Sequence, residues 1–167
     1  ATVETVHRFQ ALGNLAFICT GRSKPEILPD IMAIGFDGII GAGGGYIAYG
    51  DEILHHHTMP EKAVREIIEF FDAHKIGYYL ESNSGLFGSK HYKDTIQATI
   101  GEYCQGDEAK IVELTTANQW FYDLIDSYAG REIDYADVNK ISFINREVGY
   151  QTIADKFGQQ FEMFHMT

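Results

Sequence analysis

Thr20-Gly21-Arg22 has the chemistry of an anion site. A hydroxyl can donate to a phosphoryl oxygen, a glycine admits a close ligand, and a guanidinium offers a planar fork of permanent charge. The apolar run Leu15-Ala16-Phe17-Ile18-Cys19 leads straight into this tripeptide. In a parallel α/β sheet, ligands collect beyond the carboxyl ends of the strands. A helix following Ser23 would add free N–H groups and a positive dipole end. The competing reading makes Thr20 a helix cap and Arg22 a solvated cation. Three residues alone leave both readings open.

The run "GAGGGYI" (41–47) invites a dinucleotide-binding reading, which fails. The fingerprint needs a third glycine where Tyr46 stands and a helix directly after it. A strand-like alternation follows instead, so Gly43 and Gly44 read as a strand end where backbone comes close to a ligand or another loop. His55-His56-His57 could suggest a metal, but neighbours on a strand face opposite sides. At most His55 and His57 share a side, without a supporting third ligand. Asp37, Asp51 and Asp107 each follow or precede a glycine but lack a second acidic residue at catalytic spacing. No catalytic group and no metal site is assigned within this chain.

The elements that would position the tripeptide follow from periodicity. Val3, Val6, Phe9 and Leu12 predict an opening helix that stops at Gly13. Residues 15–19 form a non-alternating run, as in a parallel strand covered on both faces. Pro25 opens an expected helix with Ile27, Leu28, Ile31 and Met32 on its apolar face, ended by Gly35. "FDGII" predicts a second strand, and "YIAYGDEILHH" a hairpin around Gly50-Asp51. After Pro60, Val64, Ile67, Ile68 and Phe71 line one helical face. Beyond it, strands are expected at "IGYYLES", "GLFGS" and "VNKISFIN", helices over 90–104, 116–129 and 149–157, and a last strand at "QFEMFHM". The change of rhythm near Thr58 divides the chain into 1–58, α/β, and 59–167, α+β.

Bulk properties narrow the function classes. The 167 residues are 45% hydrophobic and 22% charged, a mix that can bury a core. A net charge of -11 disfavours nucleic acid and anionic membranes as partners. The Tyr- and Phe-rich stretches therefore read as core and module interface rather than as a base-stacking surface. Cys19 and Cys104 have no metal or redox spacing, and two buried thiols in a reducing cytoplasm are expected. No apolar run approaches membrane-spanning length. The oligomeric state is left open.

Taken together, "LAFICTGRS", the amphipathic helix after it, "GFDGIIGAGGGYIAYGDEILHH" and the helix from Pro60 resemble the haloacid dehalogenase superfamily, closest to its Cof-type sugar-phosphatase branch. The likeness is dense over 1–75 and is one of element order beyond. It implies a partial Rossmannoid core (1–58) with an inserted α+β cap (59–167), incomplete at its C-terminal end. It implies that Thr20 contacts a transferred phosphoryl group, with Gly21 and Arg22 beside it. Where that family usually carries Asn-Gly-Ala, this chain has Gly43-Gly44-Gly45, so any contact there falls to backbone. The family's Asp-x-Asp would precede residue 1, and its Lys and metal-binding Asp pair would follow residue 167. The resemblance thus implies a Mg²⁺-dependent hydrolase of small phosphorylated metabolites such as sugar phosphates. It implies inactivity of this chain alone. The rival from another class is a non-catalytic α/β ligand-binding or interaction module.

Overall fold

The structure, a computed structural model, describes residues 2–164. Two sheets organise it. The first has the order β1 (Phe17–Cys19), β2 (Gly38–Gly41), β3 (Tyr46–Tyr49), β4 (Glu52–His56). β1 and β2 run parallel, and β2, β3 and β4 are antiparallel neighbours, the last pair turning at Gly50 with φ +54°. The opening helix α1 (Thr2–Ala11) is tied to this sheet by Asp37. The Asp37 carboxylate accepts from Ala16 N–H at 2.7 Å and Gln10 Nε2 at 2.9 Å. These bonds hold its acidity below the usual carboxylate range, the Ala16 amide first.

The second sheet is antiparallel, with β5 (Gly77–Ser82) central between β6 (Leu86–Gly88) and β7 (Val138–Ile144). Its pleat sorts the side chains. Tyr78 and Leu80 join Val138 in the core beneath α3 (Glu61–Ala73), whose Val64, Ile67 and Phe71 are buried there. Ile153 and Phe157 of α7 (Tyr150–Phe157) complete that core. A smaller cluster joins Leu86 to Tyr92 of α4 (Tyr92–Tyr103) and to Tyr122 and Ile125 of α6 (Gln119–Asp126). The first sheet has its own cluster, Ile27, Ile39, Tyr46 and Ala48, with Ile18 against it.

Several expectations need correction. The helix expected from Pro25 is two pieces: a single 3-10 turn over Lys24–Glu26 and the short α2 (Pro29–Met32). Pro29 is the cause, because the residue before a proline is pushed out of the helical region, and Leu28 sits at φ -62°, ψ 147°. β1 is not covered on both faces: Phe17 and Cys19 are exposed, and Ile18 alone turns inward. Cys19 is therefore an exposed thiol, while Cys104 is buried as expected. Between α4 and α6 lies α5 (Glu108–Ala117), a helix with no buried residue and so no apolar stripe to announce it. The last strand does not form over 160–164; the remainder of "QFEMFHM" lies outside the described residues.

Candidate functional site

The tripeptide sits where the first sheet's topology puts it, at the carboxyl end of β1. Thr20 N–H extends the strand pairing by donating to Ile40 O at 2.9 Å. The chain then turns: Thr20 Oγ1 accepts from Arg22 N–H at 3.2 Å, which leaves the hydroxyl proton free to donate elsewhere. Thr20 is not the helix cap. Ser23 takes that position, its N–H and its Oγ–H both donating to Glu26 Oε2 at 2.8 Å. Glu26 thus occupies an amide that a longer helix would have offered to an anion. The helix-dipole contribution expected from the sequence falls away with it.

The glycine run meets this loop. Ala42 N–H donates to Arg22 O at 2.8 Å, and Gly43 N–H to Thr20 O at 3.3 Å. Gly43 and Gly44 are left-handed, at φ +67° and +98°. The structure therefore brings Gly43 against Thr20, but its amide supports the loop and does not face a ligand. Gly43 as a direct substrate contact is corrected on that ground. Gly21 and Arg22 are exposed and Thr20 half-buried. His55 and His57 share a side as expected, their rings stacked at 6.4 Å. His56 points the other way, to Asp137 at 3.3 Å and Asn83 at 3.0 Å.

A second set of residues faces the loop from the other sheet, and sequence reasoning missed it. Glu81 on β5 is the cross-strand partner of Lys140 on β7, and Tyr79 that of Ser142. Alternation puts all four on the face opposite the Leu80 core. Lys140 Nζ reaches across and donates to Gly21 O at 3.1 Å. The same Nζ lies 2.9 Å from Glu81 Oε2, at ion-pair distance but without hydrogen-bond alignment. Ser142 Oγ–H donates to Glu81 Oε1 at 2.5 Å. From α6, the ring of Trp120 lies under the Arg22 guanidinium, 5.0 Å from Cζ to centroid. Asn139 Nδ2 donating to His57 O at 2.7 Å and Met59 N–H to Val138 O at 2.8 Å fasten the same seam.

Glu81 is the perturbed group here. It is 1% exposed. Burial, and then repulsion from Glu26, push its carboxyl up to about 7, with Lys140 and Ser142 opposing the shift. The only sequence signals were a carboxylate inside the apolar run "IGYYLES" and a lysine inside "VNKISFIN".

Mg²⁺ wants several free oxygen ligands. Glu26 Oε2 is taken by Ser23, Glu81 Oε1 by Ser142, and Lys140 stands beside Glu81 Oε2. Among the described residues no group of three His, Cys, Asp or Glu could hold a metal. These residues do not fit a Mg²⁺ site. What the arrangement can do is bind and orient an anion between Thr20, Arg22 and Lys140. Surface hollows elsewhere, between α3 and α7, bring together Glu66, Glu69, Phe70 and Lys156 without converging on a nucleophile or an anion loop. The polar convergence at Gly21 outweighs them.

Comparison with known proteins agrees with this geometry. The family model for haloacid dehalogenase-like hydrolases matches residues 1–167. YkrA of Bacillus subtilis (strain 168), a phosphatase by name, is 24% identical over 105 residues, 62% of this chain and 36% of that protein. A hypothetical protein from Geobacillus kaustophilus HTA426 superposes with a TM-score of 0.68 at 15% identity, over 98% of this chain and 57% of its own. A haloacid dehalogenase-like hydrolase from B. subtilis superposes at 0.60 and 15% identity, over 93% and 57%. At such identities the superpositions show the fold. This chain spans little more than half of either solved relative, and less of YkrA.

Proposed function

The chain belongs to the haloacid dehalogenase-like hydrolase family, and from that premise we propose that the intact protein is a phosphatase of small phosphorylated metabolites such as sugar phosphates. One observation carries the reading. An exposed Thr-Gly-Arg loop ends a parallel strand, and a cation and an aromatic ring from a separate sheet converge on it. That is the arrangement an anionic headgroup with an organic remainder needs. Thr20 and Arg22 hold the phosphoryl oxygens. Trp120, Tyr79 and the Glu81–Lys140 pair face the remainder and exclude water.

In this reading residues 1–58 are part of the catalytic core and 59–167 most of a cap. The intact protein works in the cytoplasm with Mg²⁺, which supplies charge neutralisation at the phosphoryl group. Nucleophile and metal ligands lie on chain beyond this one, so residues 1–167 alone do not turn over. Among the described residues no helix is long and apolar enough to cross a membrane.

The test is Mg²⁺-dependent hydrolysis of a panel of sugar phosphates by the intact protein. Turnover lost on EDTA treatment supports the reading. Binding of metabolites without any turnover supports the rival, a non-catalytic ligand-binding module.

A further inference from the structure

Lys140 is not explained by the fold. A lysine at the centre of a sheet can lie along apolar surface with its head in water. This one instead points its head at a backbone carbonyl 119 residues away in sequence, on the other sheet. Gly21 O is a neutral, exposed acceptor, a weak partner for an ammonium. Bonds between an ammonium and an anionic oxygen are roughly twice as strong as neutral ones. Glu81, 1% exposed, holds the ammonium by charge while its Oε2 makes no hydrogen bond. The lysine's donors are therefore kept in place but not consumed.

We propose that Lys140 is an anion-positioning residue supplied by the second sheet, which passes from the Gly21 carbonyl to the oxygens of a phosphate held by Thr20 and Arg22. This rests on the phosphate reading of the loop. The charge balance of the seam supports it. Glu26 comes from the loop's own side, Glu81 from the facing strand, and Arg22 and Lys140 oppose them. With Tyr79 neutral, two cations against two carboxylates sum to zero, and without Lys140 the seam is left at −1, hostile to an anion. Burial and Glu26 push the Glu81 carboxyl up to about 7, so part of that negative charge is itself reducible.

The experiment uses the full chain and its single tryptophan, Trp120, which lies at the loop. Inorganic phosphate is titrated at fixed ionic strength and pH 8, following Trp120 fluorescence, with melting temperatures measured in parallel. Lys140→Met should raise the phosphate Kd about tenfold, equivalent to ~1.4 kcal/mol. Lys140→Arg should restore most of the affinity. Glu81→Gln, which keeps shape and removes the competing charge, should lower Kd. A structural role would weaken binding in both Lys140→Met and Glu81→Gln, in step with melting temperature, and that result overturns the proposal. Thr20→Val separates the two readings. If it weakens binding while Lys140→Met does not, the loop reading stands and the Lys140 proposal falls. No phosphate binding by the unaltered chain overturns both. Should Lys140→Met fail to fold, Glu81→Gln still decides: an unchanged or raised Kd refutes the proposal.

Discussion

The Arg22 guanidinium stacks over the Trp120 indole, 5.0 Å from Cζ to ring centroid, and so joins the first sheet's loop to a helix of the other module. Because both groups are partly exposed, the contact contributes about 0.5–1 kcal/mol. Arg22→Ala should therefore lower stability by no more than that in urea unfolding. A loss of several kcal/mol would make Arg22 a structural residue.

Glu81 gives the protein a pH signature. Its folded carboxyl is raised from 4.5 to about 7 by burial and by Glu26. Between those values the folded state binds a proton that the unfolded state has released, so stability falls as pH rises through this window. Urea midpoints at pH 5, 6, 7 and 8 should decline across the series. In Glu81→Gln that component of the decline should vanish; an unaltered slope would assign it to other groups.

Gly38 and Gly43 should respond differently to a side chain. A methyl group at Gly38 would lie 2.4 Å from Ala48 O and 2.3 Å from the Phe17 ring, in the tightest part of the first sheet. Gly38→Ala should cost at least ~1–3 kcal/mol. At Gly43 the space is open and only the left-handed backbone objects, which asparagine tolerates. Gly43→Asn should melt close to the unaltered chain, and the two melting temperatures check the contrast.

What could be read from the sequence was what is local. The run into Thr20, the hairpin around Gly50-Asp51 and the apolar face of α3 each lie within a dozen or so residues and appear where periodicity puts them. The helix after Ser23 was misread because Pro29 sits inside an otherwise helical pattern. Glu81 and Lys140 could not be found, since their pairing depends on strand register and their target is Gly21, far off in the chain. α5 carries no buried stripe at all.

Residues 1–167 purified alone should not hydrolyse p-nitrophenyl phosphate with Mg²⁺ present, because the described residues supply no metal cluster. EDTA-sensitive turnover by rigorously purified chain would mean that a catalytic group has been overlooked.

The central claim is that the Thr20 hydroxyl serves a phosphoryl group and not the fold. In the intact protein, Thr20→Val removes the donor and keeps the branched shape. Loss of one hydrogen bond to a charged group costs on the order of 1.5–3 kcal/mol, or about ten- to a hundred-fold in kcat/KM. Ser23 and Glu26 hold the turn without it, so the melting temperature should change little. Measured together on one variant, a tenfold or greater fall in kcat/KM with near-normal melting is the predicted result. Unchanged kcat/KM with a lowered melting temperature would contradict the claim and make Thr20 a structural residue.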